Sequence, residues 1–61
     1  MAQFEIFKDA AAGKYQWRFQ ADNNEIVAQS EGYDSKTSAE DGIHVIQQQA
    51  AAATVIDKAG S

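Results

Sequence analysis

The fold is decided by residues 30–43, SEGYDSKTSAEDGI, where the sequence pattern changes from strand to helix. Before this stretch apolar residues mostly alternate with polar ones, and after it they recur at helical spacing. Gly32 lets the chain bend, and the hydroxyl of Ser35 can accept a hydrogen bond from an amide two or three residues further on, with Asp34 as the alternative cap. The stretch therefore predicts a corner that joins a sheet to a helix.

Three strands are predicted before this corner, over residues 3–8, 14–20 and 25–30. The second is the clearest, because Tyr15, Trp17 and Phe19 point to one face and the residues between them are polar. In the first strand Phe7 interrupts the alternation, so we expect its second face to be partly covered. Gly13 and a run of Asp and Asn residues supply the two turns. Short turns between three strands predict an antiparallel meander.

A helix is predicted over about residues 36–50, because apolar residues form one stripe of Ala39, Ile43, Ile46 and Ala50. A glycine inside a helix costs about 1 kcal/mol relative to alanine. We therefore expect the helix backbone to come close to an aromatic side chain of the sheet at Gly42. Val45 lies off the stripe and would need a second apolar surface. A short fourth strand is predicted over residues 53–57, and the helix end is not sharply defined between residues 47 and 53.

The size of the chain favours self-association. By the scaling of surface with mass, a single domain of 6.6 kDa buries roughly 5,700 Å² on folding. Burying the apolar part of this surface stabilises the fold by roughly 85 kcal/mol, and ordering the chain costs roughly 90 kcal/mol. The two terms therefore nearly cancel. Small chains overcome this balance with disulfides, a metal or a partner chain. The sequence has no cysteine and one histidine, so a second copy is the expected remedy, and no metal or other cofactor is expected.

Charge and hydropathy narrow the possible partners and location. The net charge is -4 and the isoelectric point is about 4.6, which argues against binding to a phosphate backbone. The opening residues do not resemble a secretory signal, and no apolar run has the length of a membrane span. We therefore expect a cytoplasmic protein without a membrane or nucleic-acid partner.

Two groups of side chains on the predicted sheet are candidate binding sites. Tyr15, Trp17 and Phe19 could form an aromatic platform for a base or a sugar ring, but a core face under the helix is the favoured interpretation. Lys8, Lys14 and Arg18 could form a small basic patch, although solvated strand surface fits the acidic total better. No catalytic, cofactor-binding or metal-ligating residue is identified.

The candidates near the corner and on the helix have ordinary explanations. His44 has no second histidine or cysteine with which to form a site. Glu40 and Asp41 are adjacent, so on a helix they point about 100° apart and do not face each other. Ser35 is explained as a helix cap without further chemistry. Residues 31–33, Glu-Gly-Tyr, either close the end of the sheet, which is favoured, or line a groove between subunits.

Several motifs are similar in residues and order to the repeat of the YegP-like family of small bacterial proteins: residues 4–9 (FEIFKD), 13–15 (GKY), 17–19 (WRF), 25–28 (EIVA), 30–33 (SEGY), 35–36 (SK) and 42–43 (GI). The resemblance covers about residues 4–46. It implies an α+β fold, a β3-α-β unit of three strands, a helix and a final strand. Family members have two tandem units or one, and two units form a single sheet while exchanging their C-terminal strands.

For a chain with one unit, this resemblance implies a homodimer. It supplies no activity, cofactor or catalytic residue. The sequence departs from the family at residues 47–53, QQQAAAA, where members often have Asn or Pro. We therefore expect a homodimeric binding or structural module that is not an enzyme. The alternative is a weak nucleic-acid or nucleotide binder that uses the polar sheet face with Lys14 and Arg18.

Overall fold

The computed structural model describes residues 1–60. Three antiparallel strands, in the order β1-β2-β3, form one sheet, and a helix follows them. The element bounds are β1 Gln3–Asp9, β2 Lys14–Gln20, β3 Ile26–Gln29 and α1 Lys36–Gln49, with a short 3-10 helix at Ala50–Ala52. The predicted α+β meander and helix are confirmed, and each observed bound lies within one residue of the predicted bound.

The pairing of β1 with β2 is regular. It runs without interruption from Gln3 opposite Gln20 to Asp9 opposite Lys14. The connecting turn uses the residues expected for it: Gly13 has a φ of 66°, and its N–H donates to the Asp9 carbonyl at 2.7 Å. The Asp9 carboxylate also accepts from the Ala11 N–H at 3.0 Å. A left-handed residue and a side chain that bonds the turn backbone fix this hairpin.

β3 is irregular at both of its ends. The register shifts between Phe19 and Gln20, so Val27 has no partner opposite it. Beyond Gln29 a side chain takes the place of a backbone acceptor in the pairing with β2, because the Ser30 hydroxyl accepts a hydrogen bond from the Trp17 N–H at 2.9 Å.

The Ser30 N–H donates to the Trp17 carbonyl at 2.8 Å, and an isolated bridge then joins Tyr33 to Tyr15. Between these two contacts, the segment from Ser30 to Tyr33 therefore has one more residue than the facing part of β2, from Trp17 to Tyr15. An extra residue on one strand is a β-bulge, which bends the strand and interrupts its pairing.

The core lies between α1 and the sheet. Ser35 caps the helix as predicted, since its hydroxyl accepts from the Ser38 N–H at 3.1 Å. Trp17, Ala39 and Ile43 are buried, and the partly buried side chains that pack on them are Phe4, Ile6, Tyr15, Tyr33 and Ile46. The predicted helix stripe is confirmed for its first three members, and Ala50, although exposed, continues it, because it faces sheet residues across an open cleft.

The helix covers only part of the sheet. Its backbone lies close to β1 and β2 and, within the described residues, not to β3. Every residue of β3 is exposed. Val45 is also half exposed, at 50% of its surface, so the described part of the chain does not supply the second apolar surface that its position requires.

Between α1 and residue 60, the 3-10 helix is followed by chain without regular secondary structure. Ala53 is extended, with φ of -70° and ψ of 140°. The fourth strand predicted over residues 53–57 does not form within the single chain, and no strand of the same chain pairs with these residues. Val55 and Ile56 are 92% and 72% exposed. A strand at this position requires a partner edge, so the exchanged strand stays a prediction.

Candidate functional site

An apolar cleft opens at the end of the sheet near the last turn of α1. It has a volume of about 230 Å³, an entirely apolar surface, and a lining of Phe4, Trp17, Phe19, Ala28, Ile46 and Ala50. All three strands and the helix contribute to it. Three of its residues are aromatic, and their mutual contacts fix their orientations.

The Phe4 ring meets Trp17 edge-on, with centroids 5.6 Å apart, and lies 4.9 Å from Phe19 in a tilted arrangement. Offset and edge-on geometries of this kind stabilise aromatic pairs beyond the area they bury. Trp17 is only 6% exposed. The Tyr15, Trp17 and Phe19 face is therefore part of the core, and its central ring is not presented to a planar ligand.

The corner residues 31–33 both pack and line a groove. Tyr33 is partly buried against the core, and Gly32 lies so close to Lys14 that a Cβ at this glycine would stand 2.8 Å from the Lys14 Cβ. Beside them lies an open groove of about 520 Å³, lined by Trp17, Gln29, Ser30, Glu31, Gly32 and Tyr33. The packing interpretation of the Glu-Gly-Tyr stretch thus has a structural counterpart, and a groove between subunits stays a prediction.

The predicted contact between the helix backbone and an aromatic side chain is confirmed at Gly42. A Cβ at this position would lie 2.6 Å from the Tyr33 hydroxyl and 3.2 Å from the Trp17 Nε1. The Trp17 Nε1 is buried, and among the residues that the structure describes it has no hydrogen-bond partner. Close packing of the helix on these two rings explains why a small residue occupies this position.

On the opposite face of the sheet, an arginine is held between two neighbours. The Arg18 Nε donates to Glu5 at 2.8 Å, and the guanidinium lies 4.7 Å from the centroid of the Phe7 ring. This contact covers Phe7, as expected for an aromatic that breaks the polar alternation. The cross-strand cluster was not predicted, because it depends on the register that places Glu5 opposite Arg18.

The basic patch considered from the sequence does not form. Lys8 lies opposite Tyr15 on the helix face, 5.5 Å from the centroid of that ring, whereas Arg18 lies on the other face. Lys14 pairs with Asp34, and this pairing lowers the pKa of the Asp34 carboxyl, through the hydrogen bond first and the charge of Lys14 second. Lys14 and Arg18 are thus each paired with a carboxylate of the same chain.

The two acidic residues of the helix and His44 line a surface depression. Its volume is about 380 Å³, and its lining is Ile6, Glu40, Asp41, Ile43, His44 and Gln47. Across residues 1–60, no group of three or more His, Cys, Asp or Glu side chains is placed to hold a metal ion. In the same range, neither helix has the length and apolarity that crossing a membrane requires.

The fold and its surfaces define a class of small α+β domain with one antiparallel sheet and one helix. The family model described as "Domain of unknown function (DUF1508)" matches residues 10–57, and the chain belongs to this family. The curated relatives include UPF0339 protein NMB1088 of Neisseria meningitidis, which is 46% identical over 85% of this chain and 91% of its own length. UPF0339 protein Atu5359 of Agrobacterium fabrum is 41% identical over 95% and 92% of the two chains.

Solved structures of similar proteins have the same fold. The solution structure of a protein from Haloferax volcanii has a TM-score of 0.81 at 47% identity, over 92% of this chain and 93% of that one. The solution structure of protein ATU0232 from Agrobacterium tumefaciens has a TM-score of 0.80 at 44% identity, over 93% and 90%. The resemblance noted in the sequence motifs is confirmed, since YegP of Yersinia pestis is 45% identical over 77% of this chain.

Proposed function

We propose that this protein is a homodimeric binding or structural module, not an enzyme, in which residues 53–57 of each chain complete the sheet of the other. The observation that carries the proposal is the pairing of an exposed apolar tail with an open apolar cleft. Val55 and Ile56 project into solvent, and none of residues 1–60 of the same chain fills the cleft around Phe19 and Ile46. Each chain thus has both the inserted segment and the site that would receive it.

The accessible surface of the single chain is large enough to supply a dimer interface. The accessible surface is 4873 Å², whereas a compact monomer of this mass exposes about 3,900 Å². The difference, about 1,000 Å², is close to the roughly 800 Å² that each partner buries in an interface of standard size. The exposed side chains of Ile26, Val45, Val55 and Ile56 make up part of it. An isologous dimer would cover matching surfaces on both chains.

The two edges of the sheet differ in their suitability for an added strand. β1 has seven residues, is paired without a bulge and has an unoccupied outer edge. β3 has four residues and is bulged at both ends. Long regular edges accept another strand, and bulges hinder this pairing. We therefore assign the incoming residues 53–57 to the outer edge of β1, where Val55 or Ile56 can reach the cleft beside Phe4.

A longer relative is consistent with two units in one assembly. The chain covers only 41% of the length of YegP from Yersinia pestis, which leaves room in that protein for a second unit. A chain with one unit would obtain the second from another copy. The cytoplasmic location expected from the sequence stays a prediction.

No observation favours the nucleic-acid alternative. Phosphate binding requires cations that can replace counterions. Arg18 is paired with Glu5, Lys14 with Asp34, and Lys8 lies on the other face of the sheet. The cations of the polar face are therefore already paired with carboxylates of the same chain.

The solution mass tests the proposed dimer. We expect light scattering after size exclusion to give twice the chain mass down to low micromolar concentration. Deleting residues 53–61 should give a monomer, because it removes the inserted segment. Deleting only residues 58–61 is the matched control and should leave the dimer intact. A full chain that is monomeric, or a truncated chain that stays dimeric, would contradict the proposal.

A further inference from the structure

The open groove beside residues 31–33, here called the corner groove, lies next to the strand that the backbone of the helix does not approach. Its lining comes from β2, from the end of β3 and from the segment that follows β3: Trp17, Gln29, Ser30, Glu31, Gly32 and Tyr33. Its volume is about 520 Å³. Sites for small molecules usually have volumes of about 300–1,000 Å³, so the corner groove is large enough for such a ligand.

One donor at this groove is unused. Trp17 is 6% exposed, and among residues 1–60 its Nε1 has no hydrogen-bond partner. An indole N–H is a donor only, so it can be satisfied only by an acceptor. Buried polar groups in native structures are nearly always paired, and an exception requires an explanation. A ligand that brings an acceptor to this nitrogen would provide the explanation.

The indole nitrogen lies on the side of Trp17 that faces the corner. A Cβ at Gly42 would stand 3.2 Å from the Trp17 Nε1 and 2.6 Å from the Tyr33 hydroxyl, so these two polar atoms border the same space. Tyr33 also lines the corner groove. A rotation of the Tyr33 side chain therefore connects this space with the groove, and rotamer changes of this kind are common on binding.

The charges at the corner groove disfavour an anionic ligand. Glu31 is the charged residue of its lining, and among residues 1–60 this carboxylate forms no ion pair. Lys14, whose side chain lies against Gly32, is already paired with Asp34. The whole chain has a net charge of -4. A carboxylate or phosphate in the groove would therefore meet repulsion without a free cation to offset it.

The remaining chemistry of the lining favours a planar ligand that has both an acceptor and a donor. Small-molecule sites combine aromatic walls with a few placed polar groups. Here the aromatic residues are Trp17 and Tyr33, the donor is the Trp17 Nε1, and the acceptor is the Glu31 carboxylate. An amide attached to an aromatic ring complements all of them, because it has a carbonyl oxygen, an N–H group and a flat apolar surface.

We propose that the corner groove is a binding site for a small, uncharged, planar amide. The Trp17 Nε1 donates to the carbonyl oxygen of the ligand, the Glu31 carboxylate accepts from its N–H group, and Tyr33 contacts its ring. The site is formed within one chain and shares only Trp17 with the apolar cleft. It therefore does not depend on the proposed dimer.

Nicotinamide and nicotinate are matched probes, because they share one ring and differ in whether it bears an uncharged amide or a carboxylate. Trp17 is the only tryptophan of the sequence, so its indole N–H gives one resonance in the ¹H–¹⁵N spectrum of the full chain. We expect nicotinamide to shift this resonance downfield with saturation, together with backbone amides of residues 29–33. Nicotinate should bind at least about tenfold more weakly, since it repels Glu31 and has no N–H group to donate to it.

A reversal of charge at residue 31 tests the role of its carboxylate. Glu31→Lys replaces the acceptor by a cation and should reverse the preference, so that nicotinate binds more tightly than nicotinamide. Glu31 is exposed, so the fold should tolerate this change. Glu25→Lys is the matched control, because Glu25 is also exposed, lies outside the groove lining and gives the same change in net charge. This control should leave the preference for nicotinamide unchanged.

A saturable shift of the indole resonance, a preference for nicotinamide and its reversal by Glu31→Lys alone would together support the proposal. An indole resonance that does not respond to nicotinamide, or that responds equally to nicotinate, overturns it. A preference that Glu31→Lys leaves unchanged, or that Glu25→Lys reverses to the same extent, also overturns it. These results are independent of the solution mass, which tests the proposed dimer separately.

Discussion

Gly42 lies directly against the hydroxyl of Tyr33, so that a Cβ at this helix position would stand 2.6 Å from the Tyr33 Oη. Replacing a helical glycine by alanine normally stabilises a helix by about 1 kcal/mol. Here the added methyl group must displace the rings of Tyr33 and Trp17, and overpacking typically costs about 1–3 kcal/mol. We expect Gly42→Ala to lower the free energy of unfolding by about 1 kcal/mol net, measured by urea denaturation.

The same substitution in a Tyr33→Phe background is the control for this prediction. Removing the hydroxyl removes the shortest contact and leaves the ring carbon at 3.2 Å. The loss caused by Gly42→Ala should then shrink toward zero. A Gly42→Ala variant that is more stable than the unmodified chain would mean that Tyr33 does not press on the helix.

Trp17 is the largest side chain of the core, and its removal should be severe. It is 6% exposed and contacts the helix, Phe4 and the cleft. Truncation of a buried tryptophan to alanine costs about 3–5 kcal/mol, which is enough to unfold a domain of this size. We expect Trp17→Ala to lose its cooperative unfolding transition in urea.

The neighbouring Gln16 supplies the matched control, because it lies on the same strand and opposite Phe7 on the other face. Gln16→Ala should change the free energy of unfolding by less than about 1 kcal/mol, the range of ordinary surface changes. A loss below that value for Trp17→Ala would place Trp17 at the surface and return the aromatic platform to consideration.

The pKa of Asp34 should lie below its ordinary value of 3.8, because Lys14 donates a hydrogen bond to the carboxylate and adds a favourable charge. A carboxyl whose pKa is lower in the folded state stabilises that state above its unfolded pKa. The contribution disappears as the pH falls through the folded pKa. The side-chain carboxyl resonance of Asp34, followed by NMR titration, should report this lowered value.

Lys14→Gln should return the pKa of Asp34 to its ordinary value without changing the fold. The pair is exposed to solvent, so added salt should have the same effect in part. An Asp34 resonance that titrates normally in the unmodified chain would show that the ion pair does not persist in solution.

The assignment of the exchanged strand to β1 can be tested between chains. The sequence has no cysteine, so Lys58→Cys gives one site for a nitroxide spin label just beyond the inserted segment. In a dimer mixed from spin-labelled chains and ¹⁵N-labelled chains, the label should broaden amide resonances of β1 on the isotope-labelled partner. Broadening confined to β3 would move the exchanged strand to the other edge, and the absence of intermolecular broadening would argue against exchange.

The sequence predicted the parts of the fold that depend on local pattern. The alternation around Trp17 predicts the buried face, the position of Ser35 predicts the cap, and the helical glycine at position 42 predicts a close approach, because each signal is contained within a few neighbouring residues. The contacts that were missed depend on register. The Arg18 and Glu5 pair and the Ser30 hydroxyl on the Trp17 amide join residues 13 positions apart.

The end of α1 could not be predicted from the sequence either, but for a different reason. Residues 47–53 are glutamine and alanine, which favour a helix without marking where it stops. The change to a 3-10 helix at Ala50 therefore could not be located from propensity. The sequence motifs did correctly indicate the family, whose relatives have the same fold.

The two bulges of β3 have a consequence for the size of the assembly. A chain with two regular outer edges could pair with copies on both sides and grow into a fibril. Here β1 is the regular edge and β3 the bulged one, so direct edge-to-edge pairing is favoured at β1 and hindered at β3. The irregular third strand thus removes one of the two edges through which copies of this sheet could stack side by side into a fibril.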